Sequence, residues 1–480
     1  MRFIRVLCDN LRTLLKPIDP DLVIEKNWDR VQVIISNNDA AVQQQVIDVL
    51  RRIPGISNFL QVVDYPWVSM EDTFLKTKAL FAEQLKNKTF ALRCKRSGEH
   101  DFNSMDVEYF VGGNLKEHCE TAGVNLNNPD VLVRIEVIDD HFLIVLNRYE
   151  GLGGYPLGTQ DAVLSLISGG FDSTVSSYLT MKRGLLTHYC FFNLGGRAHE
   201  VGVKEVAVYL WMKYGASHRV KFITVPFEDV VKEILEKIDN PQMGVILKRM
   251  MLRAATRLAH EWEITALVTG ESVAQVSSQT LRNLNVINSV TDMLVLRPLI
   301  TTDKTDIIHL SRKIGTEVFA AAMPEYCGVI SVKPTTRAKP ERIAHEENKF
   351  NFEFLENAIN NARAVNIDEI VKDIQHAAAV EIVEKVNEDQ AVIDIRHPDE
   401  EELNPLKGNF SVIKIPFYNL HEKFKTLDPA KTWLLYCDRG VMSQLHAQYL
   451  KDEDFSNVKV YRPLKASSKN VNAIEIRKSA

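Results

Sequence analysis

The sequence lacks the patterns that mark secreted disulfide proteins, zinc proteins and membrane proteins. Its six cysteines are scattered along 480 residues, with no CxxC pair and no grouping with histidine. No apolar run approaches the roughly 20 residues that a membrane-spanning helix requires. The basic, apolar N-terminus is not followed by a small-residue cleavage site, so it is not typical of a targeting segment. We therefore expect a cytoplasmic protein with no metal site of its own and no contact with a membrane.

The chain also lacks an excess of charge of either sign. Its net charge is −5, so any contact with nucleic acid must depend on a local basic patch. Hydrophobic residues make up 45% and charged residues 25%, which is the balance of an ordinary folded protein. Because 480 residues are too many for one hydrophobic core, we expect several domains.

The domain organisation follows from changes in hydrophobic periodicity, and the fold class is multidomain α/β and α+β. Residues 67–165 have an α+β pattern. Residues 166–339 alternate apolar strands with helices, which predicts a doubly wound domain with a parallel sheet. The predicted boundaries are an N-terminal segment at 1–66, an α+β domain at 67–165, the doubly wound domain at 166–339, a helical linker at 340–385 and a small α/β domain at 386–480.

The N-terminal segment has the pattern helix, strand, strand, helix, strand. That order is a ferredoxin-like βαββαβ unit without its opening strand. A sheet with this gap would expose an unpaired edge, which is a liability for a folded protein. Either the chain as given begins late, or this first sheet is closed in another way.

A glycine-rich loop, Ser168 to Thr174, lies between the strand AVLSLI and a helix. Its glycines let backbone N–H groups close on an oxyanion, and the helix N-terminus adds partial positive charge. An ordinary strand-to-helix turn is the alternative, but the end of a parallel strand favours phosphate binding. The loop has no Gly-Lys-Ser/Thr and is not a Walker A loop. It resembles the PP-loop, SGGxDS, of N-type ATP pyrophosphatases. The resemblance implies that Asp172 serves the metal-pyrophosphate chemistry, with Mg²⁺ between its carboxylate and the phosphates.

Two cysteines differ from the other four, for which a buried, unreactive thiol is the expected state. Cys437 ends the strand TWLLY and precedes a helix, a position that stabilises a thiolate. The motif CDRGVMS around it resembles the active loop of rhodaneses, and Asp394-Ile395-Arg396 resembles the end of another rhodanese strand. Cys327, in MPEYCGVISVKP, lies at a turn, and its residues alone leave open whether it packs or reacts.

The combination of SGGFDS, PEYCG and CDRGVMS closely resembles the tRNA 4-thiouridine synthetase family in its long form. The resemblance extends over essentially the whole chain and includes FNLGGRAHEVGV, ILKRMMLRAA, VTGESVAQVSSQT and TTDKTDII. It implies a ferredoxin-like segment, a THUMP RNA-binding domain, a PP-loop ATP pyrophosphatase domain and a C-terminal rhodanese domain.

The resemblance also implies the residues of a nucleotide site. They are Leu166, Ile167, Ser168, Gly169, Gly170, Phe171, Ser173, Lys248, Gly270 and Gln279. The implied catalytic residues are Asp172, Lys304, Cys327 and Cys437. Without the resemblance, the two lysines would be interpreted as solvated residues on helix faces.

A basic strand in the second segment is the candidate RNA-binding surface. Its residues are Lys88, Arg93, Lys95, Arg96 and His100, with Phe90 and Phe102 nearby. Such a cluster can follow RNA phosphates. The residues alone are equally compatible with a solvated basic face, and the aromatics with core packing.

The activity that the resemblance implies is that of an ATP-dependent tRNA uracil 4-sulfurtransferase acting at position 8 of tRNA. ATP, with Mg²⁺, would adenylate the C4 oxygen of uridine, and no permanently bound cofactor is expected. A cysteine desulfurase would transfer a persulfide sulfur to Cys437, and Cys327 would resolve it to a Cys327–Cys437 disulfide. The long form also implies sulfur transfer to the ThiS carrier protein for thiamine thiazole synthesis. A homodimer formed through the nucleotide domain is compatible with the sequence but not required by it.

Three other functions are compatible with parts of the sequence. One is an ATP-independent, rhodanese-type sulfur carrier, and another is a tRNA-binding scaffold. The intact SGGFDS loop argues against both. A third is a PP-loop enzyme that activates a carboxylate, but no glutaminase-like segment is evident and Cys437 would then have no purpose.

Overall fold

The computed structural model describes residues 2–26, 30–37, 39–194, 197–322, 333–376, 380–387, 389–396, 401–402, 405–437, 441–463 and 469–477. The chain divides into two compact units. Unit 1 is Met1–Pro156 with Ser467–Ala480, and unit 2 is Leu157–Ala466. Among the helices described, none is both long and apolar enough to cross a membrane.

Unit 1 is built on one sheet with helices against it. Its elements in chain order are α1 (Arg2–Leu15), β1 (Val23–Lys26), β2 (Arg30–Asn37), α2 (Ala40–Leu50), β3 (Ile56–Pro66), α3 (Met70–Leu85), β4 (Thr89–Ser97), α4 (Ser104–His118), β5 (Gly123–Val124), β6 (Val131–Ile138) and β7 (His141–Gly153), followed at the end of the chain by Lys469–Arg477, the C-terminal strand. The predicted order of elements in the ferredoxin-like segment is confirmed.

Periodic apolar residues explain how the helices of unit 1 are placed. Leu7, Leu11 and Leu15 recur every four residues on α1 and are all buried. They pack with β2 residues such as Val33 and with Phe59 of β3 in one core. A second core joins α3 and α4 to β4, β6 and β7. Helix α4 begins at a capping box between Asn103 and Asp106, which satisfies its first backbone N–H groups.

The gap in the ferredoxin-like sheet is filled by the C-terminal strand. The sheet has eight strands in the order β1, β2, C-terminal strand, β3, β7, β6, β4, β5. The C-terminal strand is antiparallel to both β2 and β3. This is the position that the opening strand takes in a ferredoxin-like unit. The expected exposed edge does not form among the described residues, and the first sheet is closed by a segment distant in sequence.

Unit 2 contains the doubly wound domain and the small α/β domain. The first part comprises β8 (Ala162–Leu166), α5 (Phe171–Lys182), β9 (Leu186–Asn193), α6 (Arg197–Leu210), β10 (Lys221–Pro226), α7 (Glu228–Lys237), α8 (Met243–Glu261), β11 (Ala266–Val268), α9 (Leu281–Asn288), β12 (Leu294–Leu296), α10 (Lys304–Ile314), α11 (Glu317–Ala322), α12 (Pro340–Glu347), α13 (Glu353–Asn360), β13 (Arg363–Asn366) and α14 (Ile367–His376). Its sheet has the order β12, β11, β8, β9, β10, β13 and is parallel except for β13. The predicted doubly wound sheet is confirmed.

The small α/β domain follows with a parallel sheet of five strands. Its elements are β14 (Ile382–Val383), β15 (Gln390–Asp394), β16 (Val412–Lys414), α15 (Phe417–Phe424), β17 (Thr432–Tyr436), α16 (Val441–Asp452) and β18 (Val458–Tyr461). The strand order is β14, β18, β17, β15, β16, and every pair is parallel. Cys437 therefore lies at the carboxyl end of a central strand.

The stretch predicted as a helical linker is largely helical, but it is joined to the nucleotide domain. Ile343, Leu355 and Ile359 of α12 and α13 are buried in the same core as α7 and α8. Strand β13 adds an antiparallel edge to β10. These apolar positions recur at helical spacing on otherwise charged helices, so the high charge concealed a face that packs. The domain boundaries themselves stay predictions.

A buried ion pair fixes α12 against α8. Arg249 donates from Nε to Glu347 Oε1 at 2.7 Å and from Nη2 to Oε2 at 2.8 Å. Both side chains are about nine-tenths buried, at 9% and 10% exposure. Two parallel charge-assisted bonds of this kind are strong, and the loss of one partner leaves a buried charge uncompensated.

We expect Glu347→Ala to destabilise the nucleotide domain by about 3–5 kcal/mol, because Arg249 would stay buried without its carboxylate. Calorimetry should show the unfolding transition of this domain lowered by roughly 10 °C. The control is Glu356→Ala, which removes an exposed pair with Arg257 and should cost less than about 1 kcal/mol. Equal effects of the two substitutions would contradict the assignment.

Candidate active site

The glycine-rich loop is folded around the hydroxyl of Ser173. Gly169 has φ +82°, a left-handed conformation that favours glycine. The Ser168 N–H donates to Ser173 Oγ at 3.1 Å, and the Ser173 hydroxyl donates to the Gly170 carbonyl at 3.2 Å. Among the residues that the structure describes, no side chain caps the N-terminus of α5, which begins directly after Gly170. The first backbone N–H groups of α5 are therefore available to an anion.

Gly270 lies against this loop from the neighbouring strand end. A Cβ atom at Gly270 would be 2.6 Å from the Asp172 carbonyl carbon and 2.7 Å from the Ser173 nitrogen. Only glycine permits the backbone after β11 to approach that closely. Since β11 is the parallel neighbour of β8, the loops after the two strands meet at one edge of the sheet.

Asp172 and Lys304, predicted as catalytic residues, are in direct contact. Lys304 Nζ lies 2.9 Å and 3.1 Å from the two Asp172 carboxylate oxygens. Gln275 donates from Nε2 to Asp172 Oδ2 at 2.7 Å. Lys304 opens α10, and its ammonium also lies 5.3 Å from the centroid of the Phe171 ring. The contacts hold a cation beside the glycine-rich loop.

A second group of charges surrounds Glu271. Lys248 Nζ lies 2.9 Å from Glu271 Oε1, and Arg297 donates from Nε to Oε2 at 2.8 Å. The Thr269 hydroxyl donates to the same Oε2 at 3.1 Å. Burial opposes ionisation of Glu271, but Lys248 and Arg297 outweigh it and lower its pKa to about 2. Lys248 is therefore held by an anionic partner at neutral pH.

Sequence reasoning missed Glu271, Gln275 and Arg297. The signal available was the position of VTGESVAQ, which follows β11 directly and lies beside the glycine-rich loop.

Among the remaining residues of the predicted nucleotide site, Ile167 and Gln279 are buried, and Leu166 ends β8. In the part of the chain that the structure describes, the side-chain oxygens of Gln275 and Gln279 are buried without a hydrogen-bond partner. These two acceptors remain available to a ligand.

Cys437 is held by the start of the following helix. The Ser443 N–H donates to Cys437 Sγ at 3.3 Å, and the Ser443 hydroxyl oxygen lies 3.4 Å from the sulfur. Donors from a helix N-terminus stabilise negative charge on sulfur, in a thiolate or in a terminal persulfide.

The Asp394–Arg396 motif forms a buried ion pair at the end of β15, the strand next to β17. Arg396 donates from Nε and Nη2 to the two Asp394 oxygens at 2.9 Å and 2.6 Å. Its guanidinium lies 5.0 Å from the centroid of the Tyr436 ring, and Tyr436 directly precedes Cys437. The motif thus ties the end of β15 to the end of β17, the strand that Cys437 follows.

In unit 1, the basic strand has both exposed and structurally engaged members. Lys88, Arg93 and Lys95 are exposed on or beside β4. Arg96 and His100 are partly buried, with Arg96 Nη1 3.0 Å from His100 Nδ1 and His100 Nε2 2.6 Å from the Asp139 carbonyl oxygen. The two aromatics belong to the core: Phe90 is buried, and Phe102 stacks on Trp67 with ring centroids 4.6 Å apart. This surface offers cations for phosphates, and its aromatics are used for packing.

Comparison with known proteins accounts for most of the chain. The profile of the ThiI ferredoxin-like domain matches residues 1–59, that of the THUMP domain residues 68–147, that of thiamine biosynthesis protein (ThiI) residues 158–352, and that of the rhodanese-like domain residues 378–462. A tRNA sulfurtransferase of Saccharophagus degradans (strain 2-40) is 54% identical over 464 residues, which are 96% of this chain and 96% of that protein. A tRNA sulfurtransferase of Escherichia coli (strain SMS-3-5) is 53% identical over 465 residues, with the same coverage of both chains.

The chain belongs to the ThiI family of tRNA sulfurtransferases. It is accordingly an enzyme of the sulfurtransferase class, and the resemblance stated from its motifs is confirmed. A solved structure described as a 4-thiouridine synthetase–RNA complex with bound ATP matches with a TM-score of 0.67 at 25% identity, covering 76% of this chain and 94% of that chain. The predicted fold class, with its ferredoxin-like, THUMP, PP-loop and rhodanese parts, is confirmed.

In this ThiI-family chain, four cysteines have the properties of packing residues. Burial raises the pKa of Cys8, Cys119 and Cys190, and it raises the pKa of Cys94 to about 12. Cys327 lies in 323–332, outside the described residues, so its role and its pairing with Cys437 stay predictions.

We expect iodoacetamide at pH 7.5 to alkylate Cys437 at least about tenfold faster than Cys94, because thiolates are the reactive form and burial keeps Cys94 protonated. Peptide mass spectrometry of the folded protein at timed intervals measures both rates. Ser443→Ala removes the hydroxyl next to the sulfur. It should slow the alkylation of Cys437 and leave that of Cys94 unchanged. Comparable rates at Cys437 and Cys94 would show that the loop does not activate its thiol.

Proposed function

We propose that this chain makes 4-thiouridine at position 8 of tRNA, using ATP to activate the uridine and the persulfide of Cys437 as the sulfur donor. The observation that carries the proposal is the meeting of Asp172, Lys304 and the Gly270 backbone at the SGGFDS loop. The names of the relatives, tRNA sulfurtransferases about half identical over nearly the whole chain, support it.

The loop residues 168–173 and the start of α5 would bind the phosphates of ATP. The residues suit a nucleotide-borne Mg²⁺, since this ion keeps most of its waters and needs only one or two carboxylates, and Asp172 is such a group beside the loop. Among the described residues there is no cluster of three acidic, histidine or cysteine side chains that would form a separate metal site. Mg²⁺ would supply neutralisation of phosphate charge.

Activation would proceed by attack of the uridine C4 oxygen on the α-phosphorus, with pyrophosphate leaving. A uracil carbonyl oxygen is a poor leaving group, and adenylation converts it into one that departs as AMP. Lys304, held by Asp172 at the N-terminus of α10, is the cation best placed to stabilise charge on the phosphates. Lys248, held by Glu271, would be a second phosphate or nucleotide contact.

Sulfur would arrive from a cysteine desulfurase as a persulfide on Cys437. Its terminal sulfur would attack C4 and displace AMP. The Cys327 thiolate would attack the Cys437 sulfur, free the terminal sulfur as sulfide or in transfer to C4, and leave a Cys327–Cys437 disulfide. A two-electron thiol reductant would then restore both thiols. The same Cys437 persulfide would supply ThiS for thiazole synthesis.

The tRNA would be held in part by the basic strand, through Lys88, Arg93 and Lys95, whose side chains are exposed. Arg96 and His100 would support this surface from partly buried positions. An ATP-independent sulfur carrier remains the competing function, and the preserved charges at the SGGFDS loop argue against it.

Incubation of unmodified tRNA with the protein, a cysteine desulfurase, labelled cysteine and Mg-ATP should place label in 4-thiouridine. Cys437→Ala and Asp172→Ala should each lower this by roughly two orders of magnitude or more, because each removes a group that acts in the reaction. Cys327→Ala should retain a first turnover but lose multiple turnover. Cys119→Ala is the matched control and should be unchanged.

Label that stays on Cys437 and never reaches tRNA would contradict tRNA thiolation and leave a sulfur carrier. Label that reaches tRNA without ATP would contradict the adenylation step. Loss of labelling only with Cys437→Ala, and not with Asp172→Ala, would remove the SGGFDS loop from the mechanism.

We expect Glu271→Gln to weaken ATP binding by roughly tenfold or more, because Lys248 loses a charge-assisted bond that orients it. Calorimetric titration with ATP measures the affinity, and persulfide loading of Cys437 should not change. The control is Glu261→Gln, an exposed carboxylate at the end of α8, the helix that carries Lys248. An unchanged ATP affinity with Glu271→Gln would show that Lys248 does not contact the nucleotide.

A further inference from the structure

The C-terminal strand, Lys469–Arg477, lies beyond the residues that the family profiles match. The last of them, the rhodanese-like profile, ends at residue 462. Even so, this strand takes a central position in the sheet of unit 1, between β2 and β3. A segment outside the domains that the profiles match therefore completes the sheet of the N-terminal ferredoxin-like segment.

The sequence of this strand agrees with its register. Residues 472–477, NAIEIR, alternate apolar and polar positions at Ile474, Glu475 and Ile476, the period of a half-buried strand. In the antiparallel register, Ile474 is opposite Val33 and Ile476 is opposite Val31 on β2.

The pairing with the other neighbour, β3, agrees with this pattern in part. On β3, Ile476 is opposite Phe59, which is fully buried, as is Val33 on β2. Ile474 is opposite the partly buried Gln61, and Glu475 is opposite Leu60, which is buried. On β2, a shift by one residue would place Glu475 opposite Val31 or Val33, so the pairing with β2 is the one that favours the observed register.

The strand satisfies backbone groups on two sides at once. Without it, β2 and β3 would be two strand spacings apart, roughly 10 Å, too far to pair with each other. Both would then expose unpaired N–H and C=O groups along the middle of the sheet. The helices α1 and α2 pack with β2 and β3 in one core, and these two strands would then no longer be joined in one sheet.

We propose that residues 469–477 are a built-in donor strand on which the folding of the N-terminal ferredoxin-like segment depends, and with it the binding of tRNA by unit 1. The position between β2 and β3 is thus occupied by a strand of the same chain. The statement on tRNA rests on the proposed function, whereas the statement on the fold does not.

Hydrogen exchange of the full chain and of a chain that ends at Pro463 tests the fold directly. Amides of β2 and β3 should exchange at least about tenfold faster in the shortened chain, and those of β8 and β9 should not change. Ile474→Asp in the full chain should act in the same direction, with Glu475→Gln as its matched control. Unchanged exchange in β2 and β3 in both variants would overturn the proposal.

Oxidative crosslinking tests the register in a chain that is otherwise intact. The pair Ile34→Cys with Ala473→Cys occupies opposite positions and should form a disulfide. The pair Ile34→Cys with Glu475→Cys is two residues out of register and should not. Equal crosslinking of the two pairs would overturn the assigned pairing, even if the shortened chain did not fold.

Filter binding of tRNA distinguishes the two parts of the proposal. Ile474→Asp should weaken tRNA binding at least about tenfold and leave persulfide loading of Cys437 unchanged. Full tRNA affinity together with faster exchange in β2 and β3 would overturn the link to RNA binding while retaining the strand. If neither the full chain nor the variant binds tRNA, the proposed function fails, and the exchange and crosslinking results still decide the fold.

Discussion

The close approach of two strand ends in the parallel sheet determines the rest of the nucleotide site. β8 and β11 are neighbours, and Gly270 after β11 lies against the backbone of Asp172 and Ser173 after β8. That contact leaves no room for a side chain. It brings the VTGESVAQ segment, with the Glu271 carboxylate and the Gln275 amide, to the loop that would bind phosphates. The positions of the cations depend on the same contact, because Asp172 holds Lys304 and Glu271 holds Lys248.

The charged side chains of the site are paired with one another. Asp172 holds Lys304, and Glu271 holds Lys248 and Arg297. A fixed cation stabilises charge that develops on a phosphate without the cost of reorganisation. The low pKa of Glu271, about 2, means that its network keeps its charge across the neutral range. Paired charges of this kind suit the polyphosphate that the proposed function requires, whereas free lysines on a helix face would not be held in place.

The cysteines illustrate how position decides reactivity. Cys190 is buried in the parallel sheet, and Cys94 is partly buried against a core and lies near Glu108, so the protonated thiol is favoured in both. Cys437 is placed after a strand, with the N–H of Ser443 donated to its sulfur. The buried Asp394–Arg396 pair fixes the neighbouring strand end. The same residue type is therefore inert in the core and suited to carry sulfur at a helix N-terminus.

The sequence by itself determined the order of elements, the doubly wound domain, the glycine-rich loop after β8 and the position of Cys437 after a strand, because periodicity, strand-to-helix turns and short motifs are local signals. Tertiary structure decided which distant residues join them. Gln275 and Lys304 reach Asp172 from 103 and 132 residues away, and charge alone does not distinguish them from solvated residues. The packing of α12 and α13 was hidden for the same reason. The C-terminal strand was not foreseen, since pairing between chain ends depends on register and on an empty position in the sheet, neither of which is visible in a local pattern.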